Sequence, residues 1–544
     1  MTTLTPKDAS GEFVGMAEKL VCELSCEPWG NPSPSVYETA RLVTLAPWLN
    51  GHTERINHLL ESRRADGGWG GAVPKEFALV PTLSAAEALL ATLRRAQTKG
   101  LPRQVDHARL TQVTDRALRL LFAWLGSPCG LDPPDTHAIE LVVPYLVTAI
   151  NQHLDDLRGT PLAGIGAGHA RLRPPDGLGP QLLDLLRSRL AAGESVPDKA
   201  LYSLEASGTY AHQARGIRPV PPGTVGASPA ATAAWLGKDK PKDPHNAAVR
   251  YLNTVAIRYE GLAPAPIPIA QFERVAVLGF LARAGLRPTV SAELLSSIEI
   301  AIGPTGTAGG AGLPVDGDTT AIALVTLAEL GIRHDPACLF TYEMDDHFCT
   351  WPGERTPAPS ANAHQLEALG QYLAHGHPND TTRYRRAAKK ISDWVCGQQR
   401  EKGNWDDKWH ASPYYPTVCC ALALDRYGTG NAATAVHKAV DWVLATQRSE
   451  GSWGRWQGTI EETAYAMLTL SLTRHRIDKQ VQSAVARGSR YLRQALHKPD
   501  NAPLWTGKDL YSHQALAMAP AVAALHLAQS QPAAPQANQL SAWQ

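Results

Sequence analysis

Gln399-Arg400-Glu401-Lys402-Gly403-Asn404-Trp405 recurs downstream as Gln447-Arg448-Ser449-Glu450-Gly451-Ser452-Trp453, and more weakly upstream as Arg63-Arg64-Ala65-Asp66-Gly67-Gly68-Trp69. The shared frame is QxxxGxW, with Arg replacing Gln in the third copy. The Gly lets the chain turn out of a helix, the Trp ring packs over that turn, and the Gln amide can cap the next helix end. The two strong copies follow one amphipathic helix and precede another. Repeated helix–turn–helix units of this kind build closed double rings of helices. The role of the repeat is stabilisation, not chemistry.

The rest of the chain agrees. Apolar residues recur at three and four in AAEALLATL (85–93), RALRLLFAWL (116–125), QLLDLLRSRL (181–190), VAVLGFLARAGL (275–286) and AYAMLTLSL (464–472), and period-two alternation is scarce. This pattern predicts an all-α protein. Pro/Gly clusters punctuate it, among them EPWGNPSPS, GLDPPD, EGLAPAPIPIA and GPTGTAGGAGLP. The segment RGIRPVPPGTVGASP continues into a helical run, so it reads as a loop inside a domain. With 544 residues the chain has room for two or three domains.

Composition narrows the function classes. Lys+Arg 52 against Asp+Glu 51, with no long basic run, argues against nucleic acid as a partner. Eight cysteines show no CxxC pair or metal-ligand spacing and are expected to be buried, reduced thiols of a cytoplasmic protein. No leader pattern opens the sequence, and no uninterrupted apolar run predicts a transmembrane segment. Residues 531–544 are expected to form a disordered tail.

Chemistry concentrates in Leu313-Pro314-Val315-Asp316-Gly317-Asp318-Thr319-Thr320-Ala321. Two acids follow a Gly-rich loop and open an apolar helix that ends near Gly331. Burial favours a neutral, proton-carrying carboxyl, whereas helix N-terminal N–H groups favour the anion left after proton loss. A strong acid in a dry cavity needs both. The other reading makes Asp318 an N-cap and Asp316 a loop residue. Asp135 and Glu140 stand at D-x4-E spacing and read either as an oxygen-rich cation site or as a cap and a surface acid. Asn362 reads as a hydrogen-bonding partner or a helix cap. Asp155-Asp156 and Asp345-Asp346 lack the third acid of a DDxxD metal cluster.

The repeats and the acid motif, together with SPSVYETARLV (33–43), FALVPTLSAAEALL (77–90), PPDTHAIELVVPYLV (133–147), VGASPAATAAWLG (225–237), SANAHQLEALG (360–370), NWDDKWHASPYYPT (404–417) and LWTGKDLY (504–511), resemble the class II terpene cyclases. That family includes squalene–hopene cyclases and bacterial copalyl-type diphosphate synthases. The resemblance implies two α/α-barrel domains, β and γ, with the active cavity between them. The expected division is 1–50 for the first helix of the β domain, 51–289 for the inserted γ domain and 290–530 for the remaining β domain. It implies that Asp318 is the proton donor of an Asp-x-Asp-Asp motif carried by Asp316, Asp318 and Thr319. Thr319 replaces the last Asp, a variant known in some drimenyl and halimadienyl diphosphate synthases. Asn362 takes the place of the family Asn that hydrogen-bonds the acid, and Asp135 and Glu140 that of the Mg²⁺ motif.

Lys408, His410 and Lys508 are candidate contacts for a diphosphate, with Lys402 and Arg455 weaker. Trp351, Trp409 and Tyr414 are candidate π faces for a carbocation. The expected reaction is protonation of a linear prenyl diphosphate, geranylgeranyl diphosphate first and farnesyl diphosphate second, giving a bicyclic labdane- or halimane-type product, or a drimenyl one, with the diphosphate kept. His364, His410 or a water are candidates for the final base. A homodimer is compatible with the sequence. Two competing readings are a non-catalytic helical module binding a lipid or protein, and a prenyltransferase subunit, for which no zinc set is evident.

Overall fold

The computed structural model describes residues 6–530, apart from 128–129, 159, 161–170, 376–380, 475–477 and 498–501. The expected tail at 531–544 lies outside the described residues. Helices dominate, in two barrels. In the first, helices Ala270–Arg283, Gly317–Glu329, Pro359–Ala374, Tyr414–Tyr427, Ile460–Leu472 and Gln514–Ser530 pack side by side, and the last returns to the first to close a ring. These helices are buried on nearly every face, as a helix apolar all round must be. Pro6–Cys26, Ala292–Ile300, Thr382–Gly397, Ala432–Ala445 and Lys479–Ala495 pack around them. In the second barrel the inner ring is Val36–Leu45, Lys75–Lys99, Ile139–Asp156, the 3₁₀ segment Leu204–Ala211 and Pro229–Leu236. Lys75–Lys99 is long and apolar enough to cross a membrane, yet 89% of its apolar window is buried, as a central ring helix requires.

The QxxxGxW turns act as the sequence suggests. Trp405, Trp453 and Trp69 are fully buried, and their indole N–H groups donate to the carbonyls of Val395, Val443 and Leu59 at 2.8, 2.7 and 2.9 Å. Gln399 Nε2 donates to Gly403 O and to Ala435 O, and Gln447 repeats this with Gly451 O and Ala484 O. Each amide thereby ties its own turn to the next outer helix. Gly403 has φ +102°, and a Cβ there would lie 2.3 Å from Lys438 O. Gly403→Ala is expected to cost at least about 1–3 kcal/mol from backbone strain alone. A urea midpoint equal to wild type would contradict this.

The two apolar cores correct the expected domain limits. One core joins Phe13–Leu24 to residues 269–525; the other runs from Tyr37 to Ile267. Helix Val36–Leu45 therefore belongs to the inserted barrel, and Ala270–Arg283 to the first. The chain crosses at the Pro/Gly clusters 27–35 and 261–268, which run beside each other through Ser35 N–H to Ala263 O at 2.9 Å. Ring helices of both barrels carry the same apolar periodicity, so periodicity could not say which ring a helix joins. Two further differences stand out. Cys22 and Cys26 are exposed on an outer helix, not buried. Two short antiparallel ribbons, Thr307–Ala308 with Val315–Asp316 and Trp505–Thr506 with Leu510–Tyr511, interrupt the all-helical pattern.

Candidate active site

The first ribbon delivers the acids. Asp316 ends it in extended conformation and caps helix Gly317–Glu329, accepting from Thr319 N at 2.6 Å and Thr319 Oγ1 at 2.9 Å. Of the two readings of this stretch, the cap is thus Asp316. Asp318, in the first turn and 8% exposed, is left to face a cavity of about 720 Å³. Its Oδ1 lies 2.7 Å from His364 Nδ1. Burial, then the neighbouring Asp318 charge, push the Asp316 pKa up to about 7 against the Thr319 hydrogen bonds. Burial works against a charged His364, but the Cys419 sulfur and the Asp318 carboxylate beside it outweigh that and raise its pKa to about 10. With His364 protonated, Nδ1–H donates to Oδ1 and the second Asp318 oxygen remains for the cavity.

The cavity lies between the barrels. The first supplies Asp316, Asp318, Thr319, Phe272, Trp351, Lys408, Trp409 and Trp505; the inserted barrel supplies Asp135, Thr136, His137, Glu140, Tyr202 and the face of Gln181–Ala192. Trp351 and Trp409 meet edge to face at 5.3 Å, with Lys408 Nζ 5.6 and 5.0 Å from their centroids. Lys408 is held there by Glu354 Oε2 and Thr356 O. Asp135, 3.5 Å from Arg355 Nη1, and Glu140 both line the cavity.

Residues 356–501 match the squalene-hopene cyclase C-terminal domain. A copalyl diphosphate synthase of Streptomyces cyslabdanicus is 39% identical over 531 residues, covering 96% of this chain and 97% of that one. The chain belongs to the class II terpene cyclases. An ent-copalyl diphosphate synthase from Streptomyces sp. (strain KO-3988) is 38% identical over 504 residues, covering 91% of this chain and 92% of its own. The solved ent-copalyl diphosphate synthase from Streptomyces platensis superposes with a TM-score of 0.88 at 41% identity, covering 95% of this chain and 99% of its own. The non-catalytic and prenyltransferase readings fall away.

In this cyclase Asn362, His410, Tyr414 and Lys508 stand away from the cavity wall, as do the weaker candidates Lys402 and Arg455, and His364 stands behind Asp318 without lining it. Asn362 accepts from Phe348 N at 2.9 Å and donates to Phe348 O and Ala358 O. It fixes the segment leading to Trp351 and makes no bond to the acid. Two residues along a helix turn it by about 200°, so His364, not Asn362, presents its face to Asp318. His410 is buried against Glu461 Oε1 at 3.4 Å and Ser412 O at 3.1 Å. Tyr414 packs against Trp442, with ring centroids 4.6 Å apart and planes tilted by 36°. Lys508 is fully enclosed by Glu38 Oε1 and Glu205 Oε1, both at 2.7 Å, and Ser228 Oγ at 2.9 Å. It joins the two barrels and has no free charge for a phosphate. Phe272 and Trp505, in edge-to-face contact at 5.6 Å, are the aromatic wall that sequence reasoning did not single out for the site.

Proposed function

We propose that this cyclase protonates the terminal alkene of geranylgeranyl diphosphate through Asp318 and closes two rings with the diphosphate retained. One observation carries the reading: a buried carboxyl, backed by His364, opens onto an aromatic-walled cavity. His364 Nδ1–H supplies a hydrogen bond to the Asp318 carboxylate left after transfer. Asp316, protonated below about pH 7, then adds no second negative charge to hold the proton back. The aromatic faces stabilise the positive charge that moves through the rings as they close. The largely apolar lining of the cavity suits a prefolded tail and disfavours water beside the cation. The cavity lies in the upper part of the range for small-ligand sites, about 300–1,000 Å³, and the copalyl and labdadienyl names of the relatives support a twenty-carbon substrate.

Asp135 and Glu140 offer hard carboxylate oxygens on the cavity wall, and among the described residues no group of three or more His, Cys, Asp or Glu is placed to cage a metal. That set fits Mg²⁺, which binds through one or two carboxylates plus substrate phosphate oxygens and water. When bound, the ion neutralises diphosphate charge. Arg355, Lys408 and Lys199, whose Nζ donates to Gly353 O across the barrels, supply the remaining positive charge.

The test is incubation of the purified chain with geranylgeranyl or farnesyl diphosphate and Mg²⁺, followed by phosphatase and product identification. The expected product is a bicyclic twenty-carbon alcohol. Free inorganic diphosphate with an open-chain hydrocarbon would overturn the reading, and preferential conversion of the farnesyl substrate would establish the drimenyl alternative. Turnover is also expected to fall as pH rises through about 7, where Asp316 loses its proton and the acid cluster becomes poorer in protons. A kcat that climbs across that range would contradict the acid assignment.

A further inference from the structure

One buried carboxylate behind the cavity wall has no part in the acid or in the diphosphate site. Glu461, in the first turn of helix Ile460–Leu472, is 4% exposed and does not line the cavity. Its Oε1 accepts Trp505 Nε1–H at 2.8 Å and Tyr465 O–H at 2.9 Å, and His410 Nε2 stands 3.4 Å away. Two donors on one oxygen favour the carboxylate over the acid. Buried Glu87, Glu367 and Glu354 each face an Arg or a Lys. Among the described residues Glu461 has no such partner, only His410. The indoles of the structural turns, Trp69, Trp405 and Trp453, donate to backbone carbonyls. Trp505, on the cavity wall, is given a carboxylate instead. It stands at the acid's end of the cavity. Tyr415 lies between the two, its ring 6.4 Å from that of His364 and 4.9 Å from that of Trp505. On the other side Phe272 meets Trp505 at 5.6 Å and donates its N–H to Gly309 O at 3.0 Å. A Cβ on Gly309 would lie 3.5 Å from both Thr319 Oγ1 and Phe272 Cβ, so Phe272 and Trp505 adjoin the acid motif.

The proposed reaction puts a positive charge where the substrate has none. Protonation by Asp318 leaves a carbocation in the apolar tail, and it forms at the end of the cavity that Trp505 walls. We propose that Glu461 is the fixed counter-charge of this cation, acting through the Trp505 indole. The carboxylate polarises the N–H bond and pushes electron density into the ring, so the π face becomes more negative. A cation beside a Trp face is held by that negative potential. The carboxylate's own charge adds to it, and in a low-dielectric site each is worth more than in water. Both are in place before the proton moves, so they cost no reorganisation during the reaction. No proton or electron pair is exchanged, and Glu461 stays a carboxylate throughout. The neutral tail of the bound substrate gains nothing from this charge, whereas the cationic transition state does, so the effect falls on the chemical step and not on binding. Trp505 meets the cation; Glu461 acts through it and is a positioning residue. Burial, then the Glu461 charge, hold the Tyr465 phenol well above the ordinary tyrosine range, so Tyr465 stays a neutral donor and does not cancel the carboxylate.

This inference rests on the proposed cyclase reading, and the experiment separates the two. Full-length wild type, Glu461→Gln, Trp505→Phe and the double variant are assayed with geranylgeranyl diphosphate and Mg²⁺ for kcat, KM and dephosphorylated products. Gln keeps an oxygen for the indole N–H and removes the charge. Glu461→Gln is expected to lower kcat about tenfold, as loss of part of a desolvated cation–π contact would, and to leave KM within about twofold of wild type. In the Trp505→Phe background the same substitution is expected to change kcat by less than about twofold, because the path through the indole is already gone. Circular dichroism melting checks that each variant folds. If Glu461→Gln does not, 3-benzothienylalanine at position 505 takes its place; it keeps the fused rings, lacks the N–H, and is expected to lower kcat with KM unchanged. A wild-type kcat in Glu461→Gln, or in that replacement, overturns the proposal. So does a loss equally large with and without the indole, which is what a purely structural role gives, or a raised KM at unchanged kcat. Failure of the cyclase reading looks different: wild type itself then yields no bicyclic diphosphate.

Discussion

Asp318→Asn is expected to abolish cyclisation while leaving substrate binding intact. The amide keeps the shape of the carboxyl and an oxygen for His364 Nδ1–H, so the contact now 2.7 Å long survives. It has no proton acidic enough for an alkene. Positioned general acids are worth about 10²–10⁴-fold. Here the expected loss is at or beyond the top of that range, because the other buried acid of the motif, Asp316, is held against Thr319 N and Oγ1 as a helix cap. Single-turnover assays would read the loss, and calorimetric titration with substrate and Mg²⁺ would read the retained binding. Turnover comparable to wild type in this variant would end the assignment of Asp318 as donor.

Lys508→Met is expected to destabilise the fold by about 3–5 kcal/mol, the cost of leaving buried charge uncompensated. Lys508 Nζ sits between Glu38 and Glu205, and all three side chains are essentially without solvent exposure. Burial raises the Glu38 pKa, and the Lys508 charge opposes that rise. Removing the ammonium lifts Glu38 further. A carboxyl whose folded pKa exceeds its unfolded value is stabilising below the unfolded pKa and loses that contribution as pH rises through the folded one. The deficit of the variant relative to wild type should therefore shrink as pH falls. Urea titrations at mildly acid and neutral pH would show it. A variant with wild-type stability and a raised KM would restore Lys508 as a phosphate contact.

The acid and the turns were legible because their signals are local. In Asp316-Gly317-Asp318-Thr319 the cap, the first turn and the buried run that follows all lie within a few residues. Likewise each Trp of a QxxxGxW turn bonds a carbonyl ten residues back, and each Gln bonds within its own turn. Asp135 and Glu140, from the motif at 133–147, and Lys408 and Trp409, from that at 404–417, line the cavity, as does Trp351, which lies outside the quoted motifs. The misses share a cause. Asn362 and His364 differ only in which face of one helix they occupy. Tyr414 and its neighbour Tyr415 differ in the same way: Tyr415 meets Trp505 at 4.9 Å while Tyr414 turns to Trp442. A polar residue two places along a chain is chemically as good a candidate as its neighbour until the facing elements are known.

By itself, then, the amino-acid order settled what short-range periodicity and turn chemistry can settle, helices and their stacking into rings; the class of reaction came from the resemblance to a family, and which of the two acids caps the helix was decided by the fold. Tertiary structure decided the partners. His364 reaches Asp318 across 46 positions and Lys508 reaches Glu38 across 470. It also decided which ring claims Val36–Leu45 and which claims Ala270–Arg283. Burial and charge pairing depend on what lies opposite in space, and two ring helices with the same apolar spacing carry no mark of which neighbour they will meet.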